Sequence, residues 1–287
     1  MKSPANLTGC ILLLATVAGT SVKGAVVIRS VGGDNTPASI VGQRDLFRAD
    51  LGGGSVAGAN GSFGGLRREI NWDGVPAGLS APNQLPANFF NSNSPRGAVF
   101  STPGTGFMVS SATTDAGAGQ PAAADFGNLN VSYTATFGTF TAQRLFMMLG
   151  SNQMDVSFFV PGTATAASVT GFGAVFSDVD VQSSSSLEFF DTSNTSLGTF
   201  FVPAGTTASE SLSFLGVSFT AGERIGRVRI TSGSAALGPQ TNDLPGGGTD
   251  LAVMDDFIYS EPSTIPEPAA AAMALLALGT CLSRRRR

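Results

Sequence analysis

The sequence predicts an all-β fold, a jelly-roll-like antiparallel β-sandwich with one short N-terminal helix. Three observations carry this expectation. Glycine (37) and proline (15) make up nearly a fifth of the 287 residues, well above the usual share of about 12%, so the chain turns often. Phenylalanine is abundant, at 21 residues, and stands among many Ser and Thr, which suits a pleated, half-buried surface. Short apolar segments recur with turn signals between them, and a single stretch of the body carries both a helix start and a helix stop.

That helix comes first. Thr36 reads as its N-cap and Pro37 as its first residue; Ile40, Val41, Phe47 and Leu51 line one side, and Gly52-Gly53-Gly54 ends it. Strands are then expected around residues 66–72, 96–101, 106–111, 131–137, 155–160, 171–178, 186–190, 197–202, 212–219, 224–231 and 251–259, with an ordered surface loop over 75–93. Residues 187–191 and 197–201 read as a hairpin across a five-residue loop. In 224–230 the charged Arg227 and Arg229 flank Val228, so one face is buried and the other wet. In the last strand, alternation puts Asp255, Phe257 and Tyr259 on one face and Met254, Asp256 and Ile258 on the other, so one of the two aspartates faces inward and needs a partner. Phe158-Phe159-Val160-Pro161 returns as Phe200-Phe201-Val202-Pro203, and Gly173-Ala174-Val175-Phe176 as Gly216-Val217-Ser218-Phe219. The echo reads as a duplicated strand-turn-strand unit inside one sandwich.

Both ends of the chain differ from this body. Met1-Lys2, the apolar run from Leu7 to Ala18 and the small residues up to Gly24 form a secretory signal peptide over 1–24, leaving 25–260 as one sandwich domain. Residues 261–268 are a tether ending in Pro266-Glu267-Pro268. An apolar helix and the cluster Arg284-Arg285-Arg286-Arg287 fill 269–287. The order of breaker, apolar run and cationic stop resembles the PEP-CTERM sorting signal of bacteria. The resemblance covers about the last 23 residues. It implies an exosortase-type processing enzyme as partner, transient anchoring of the C-terminal helix in the inner membrane, and a final location that is secreted or at the cell surface.

The composition of the body removes much chemistry. There is no histidine, Cys10 and Cys281 lie in the two tails, and so do both lysines, Lys2 and Lys23. Ser-His-Asp and Cys-His nucleophiles, Schiff-base lysines, disulfides and His-ligated metals are therefore excluded from residues 25–264. Setting aside those lysines and the terminal arginines leaves arginine alone as the basic residue, outnumbered by the acids. An acidic surface excludes nucleic acid as partner.

Three chemistries remain open. Ca2+ is the candidate cation, with Asp178, Asp180, Asp255 and Asp256 as candidate ligands, because hard cations take several oxygens. Trp72, with Asn71, Asp73 and Arg68, is the candidate carbohydrate contact, an aromatic face beside hydroxyl-binding polar groups. Both readings fit a non-enzymatic binding or structural module of the envelope or extracellular matrix that associates with exopolysaccharide, and a purely structural surface protein without a ligand is the alternative to binding. The rival is a carboxylate-dependent glycoside hydrolase or lyase drawing on Glu69, Asp73, Glu188 or Asp191.

Overall fold

The computed structural model describes residues 25–112 and 124–265, and within them strands dominate, in antiparallel sheets, as the composition predicts. The signal peptide over 1–24, the sorting residues Pro266, Glu267, Pro268 and Arg284 to Arg287, and the apolar helix of 269–287 lie outside the described residues. Among the described residues, no helix is long and apolar enough to cross a membrane.

In chain order the elements are β1 (Val26–Gly32), α1 (Ala38–Leu51), β2 (Ser62–Phe63), β3 (Arg67–Ile70), α2 (Phe89–Ser92), β4 (Ala98–Ser101) and β5 (Gly106–Val109). They continue with β6 (Phe146–Leu149), β7 (Gln153–Phe158), β8 (Ala167–Ser168), β9 (Gly171–Ser177), β10 (Ser186–Asp191) and β11 (Ser196–Phe201). The last four are β12 (Leu212–Phe219), β13 (Ile225–Thr231), β14 (Val253–Ser260) and β15 (Ser263–Thr264). One sheet runs β1-β12-β9-β14-β3-β2, with β6 also pairing β14 and β5 pairing β6. The second runs β11-β10-β13-β7-β4, and β15 pairs β8 in a small clasp.

The two sheets face each other across one apolar core. Phe158 of the smaller sheet meets Phe172 and Tyr259 of the larger, and Phe189 meets Phe219. The larger sheet is covered on its outer side as well, by α1 and by the segment from 124 to 145. Strands β9, β12 and β14 are therefore buried along their whole length, whereas β13, covered on one side only, alternates as expected, with Val228 and Ile230 inside and Arg227 and Arg229 held outside by Asp155. Helix α1 docks through Phe47, which lies over Gly173 and Gly216. These two glycines are paired in register between β9 and β12, and a Cβ at Gly216 would stand 2.6 Å from the Phe47 ring. The internal echo thus places its two glycines side by side. Its other half diverges, because β7 has two strand neighbours and β11 has one.

Several expectations need correction. The segment 131–137 is not a strand: Val131–Ala135 is a 3-10 turn, because the Asn130 side chain accepts from the Ser132 amide and caps it, and local capping outweighs the β-preference of Val and Tyr. Thr36 does not cap α1; its amide and hydroxyl both donate to Asp34, and Pro37 occupies the cap position. Strand β1 falls where the reading of the signal peptide ends, and β6 is a four-residue apolar run with no alternation to reveal it. The hairpin of β10 and β11 forms as expected, its loop tied by Asp191 accepting from the Ser193 and Thr195 amides.

Candidate functional site

The carbohydrate contact expected at Trp72 does not hold for that residue. Trp72 follows β3 in a left-handed backbone conformation (φ 60°) and turns into the core, 1% exposed. Its ring stacks on Phe146 at 3.9 Å and takes Phe90 and Phe257 edge-on, and its Nε1 donates to the Asp255 carbonyl at 2.7 Å. A single Trp beside Arg and Asp reads like a sugar platform, but Phe90, Phe100, Phe146 and Phe257 close around its ring. Asp73 is turned to the backbone as well, accepting from the Gln143 and Arg144 amides at 2.6 and 3.2 Å. Arg68 is held by Glu261.

Asn71 is the member of that set that faces open space. It lines a cleft of about 450 Å³ together with Arg48, Glu69, Arg96, Thr141 and Asp256. The cleft opens beside a larger hollow of about 790 Å³ under the 52–57 loop; Arg48, Ala57 and Phe63 line both. The local sequence builds this wall. Arg67 is buried and donates to the Gly52 and Gly54 carbonyls, closing the C-terminus of α1, while its Nε meets Glu69 at 2.7 Å. Arg48 reaches down from α1 to hold the same carboxylate through two hydrogen bonds, at 2.9 and 2.5 Å. Two arginines on one carboxylate fix Glu69 in position. Arg96 donates to the Glu69 carbonyl at 2.9 Å and lies over the Phe90 ring.

Asp256 lies on the floor of the cleft, with Asp255 buried beside it. Alternation predicts one inward aspartate, yet both are buried, because the pairing of β14 with β9 shifts register between Met254 and Phe257 and because the outer face is itself covered at Phe140 and Thr141. Asp255 accepts from the Phe140 and Thr141 amides at 2.7 and 3.2 Å, and the Thr141 hydroxyl lies 3.1 Å from Asp255 and 3.0 Å from Asp256. Burial, reinforced by Asp256 alongside, pushes the Asp255 carboxyl well above the ordinary range. Burial also raises Asp256 to about 6, against the opposing hydrogen bonds.

The four candidate Ca2+ ligands stand, as the sequence divides them, in two separate places. Asp178 and Asp180 follow β9 and belong to a separate cluster completed by Asp243, in which Asp255 and Asp256 have no part. Glu188 accepts from Ser196, and with Asp191 it stands in the smaller sheet, away from Glu69. Sequence reasoning missed Arg48, Arg96, Thr141 and Asp243. Asp243 and Asp250 sit in a Gly-, Pro- and Asn-rich loop just before β14, a signal that was there to read; nothing in the sequence announces that Thr141 crosses β14. The chain matches no protein-family model, no curated protein and no solved structure.

Proposed function

We propose that the protein is an exported, exosortase-processed component of the cell envelope or extracellular matrix, a non-enzymatic module that holds polysaccharide in the cleft of Glu69, Asn71 and Arg96. The observation that carries the binding part is the cleft itself. It combines charged groups locked by hydrogen bonds and the open Asn71 amide with an aromatic rim at Phe63, the mixture that orients a sugar's hydroxyls. The export part rests on the sequence of the two tails, an apolar N-terminal run behind Lys2 and a Pro-Glu-Pro, apolar and Arg-rich C-terminus. On this reading the inner membrane and the processing enzyme are transient partners. We take the sandwich as jelly-roll-like, since neighbours such as β1 and β12 come from distant parts of the chain.

A second reading, a carboxylate-dependent glycoside hydrolase or lyase, has one observation in its favour. Glu69 and Asp256 line the same cleft, and burial raises Asp256 to about 6, as the general acid of such a carboxyl pair requires. Pull-down of the protein on exopolysaccharide, with reducing ends assayed in the same tube, separates the two. Retention lost in Asn71→Ala and Arg96→Ala, with no sugar released, supports the binding module. Released ends that vanish in Asp256→Asn support the enzyme, and no retention with no release refutes both.

A further inference from the structure

We propose that the acids at the C-terminal end of β9 form a Ca2+ site, with Asp178, Asp180 and Asp243 as ligands and Asp250 behind them. The site is separate from the cleft, so its failure leaves the polysaccharide reading untouched.

The three ligand side chains bring one carboxylate oxygen each within 4.8 Å of one another, a spacing that oxygens around a single cation at about 2.3–2.6 Å adopt. Proximity of acids is common, and the stronger observation is Asp178 itself. It has no exposed surface, and neither of its carboxylate oxygens has a hydrogen-bond donor; one oxygen of Asp180 is in the same condition. The nearby Glu210 amide helps the charged form only weakly, since it donates to the Thr136 carbonyl at 2.7 Å. No arginine pairs with any of the four aspartates among the described residues. A buried carboxylate without a donor needs a proton or a cation, and the group of acids around Asp178 supplies what a cation requires.

The surrounding contacts hold the other acids in place. Asp243 accepts from the Leu251 amide at 2.8 Å through one oxygen. Asp250 accepts from the Asp180 amide at 2.9 Å and from the Ser184 hydroxyl, so it anchors the 180–184 turn from behind. All the donors are oxygens, and none of the described residues is a histidine or cysteine, which selects a hard cation. The irregular set of carboxylates suits Ca2+ better than Mg2+, which demands near-ideal octahedral geometry.

The location gives the ion a task. Residues 178–185 carry the chain from β9 in the larger sheet to β10 in the smaller, and residues 232–252 carry it back from β13 to β14. Asp178 and Asp180 stand on the first crossover, Asp243 on the second. One ion would tie the two crossovers together and clamp the sheets at that end.

The test is calorimetric titration of CaCl2 into the full chain after chelator treatment, with melting followed in Ca2+ and in EDTA. The expected result is one equivalent of Ca2+ per chain and a higher melting temperature with the ion. Asp178→Asn and Asp243→Asn should each weaken binding at least about tenfold, and Asp50→Asn, whose acid pairs with Arg29 on the surface, should not. Asp243 is half-buried, so its variant keeps the test open if Asp178→Asn fails to fold. Identical melting in Ca2+ and EDTA with no binding heat, or binding that survives both variants, overturns the proposal. Equal affinity for Mg2+ overturns the choice of Ca2+.

Discussion

The docking of α1 on the larger sheet rests on a fit between Phe47 and the paired glycines beneath it, and the fit can be broken from either side. Phe47 is fully buried, so Phe47→Ala leaves a cavity and should cost about 3–5 kcal/mol. Gly216→Ala puts a methyl group 2.6 Å from the ring Cγ, where carbons settle at about 3.5–4.0 Å, so the ring and helix must retreat by about 1 Å at a cost of about 1–3 kcal/mol. In the double variant the added methyl enters space the ring has left. The combined cost should therefore fall below the sum of the singles by about 1–3 kcal/mol. Urea unfolding followed by the fluorescence of Trp72, the only tryptophan, measures all three variants. Each single loss is a large part of the roughly 5–15 kcal/mol that a domain has. Additivity within about 0.5 kcal/mol would refute the account, because it would mean that Phe47 and Gly216 do not share the contact.

Two further outcomes are expected. Trp72→Phe should destabilise the fold by about 1–3 kcal/mol, because the buried Asp255 carbonyl loses its donor, while polysaccharide retention stays unchanged; loss of retention in a folded variant would return Trp72 to the binding site. The Asp256 carboxyl sits at about 6 in the folded chain against about 3.8 unfolded, so the folded state holds more protons between these values and this residue's contribution falls as pH rises. Denaturation between pH 4 and pH 7 should therefore show a decline that is smaller by about 2 kcal/mol in Asp256→Asn, and superimposable profiles would contradict it. The titratable and charged groups facing Asp256 are Asp255, Glu69 and Arg48, and Glu69 and Arg48 are paired at 2.5 Å.

The sequence was most legible where one physical rule acted alone. Strand β13 shows its alternation because only one of its faces is covered, and the β10–β11 hairpin shows its turn because Asp191 closes it locally. Strands β9 and β14 were legible as strands but not as to which side chain faces which way, since burial on both sides removes the alternating signal, and a register shift sets Asp255 and Asp256 on the same side, both under Thr141. Long-range contacts defeat local reading altogether. Trp72 beside Asn, Asp and Arg has a binding-site composition, and only the arrival of Phe146 from 74 positions along the chain makes it core. The cleft belongs to the same class, because Arg48, Glu69, Thr141 and Asp256 are brought together by four separate elements.

The pairing of β1 with β12 has a consequence for the order in which the molecule can take shape. Val26 lies opposite Phe219, so the first strand to be synthesised must wait for about 190 further residues before its partner exists. Strand β3 waits in the same way for β14. Closing loops of this length comes late and slowly, on the millisecond-to-second scale of β-rich chains. Until then the growing polypeptide has no finished rim to its larger sheet and remains an open thread. A polypeptide passed lengthwise through a narrow channel must keep that condition until it reaches the far side.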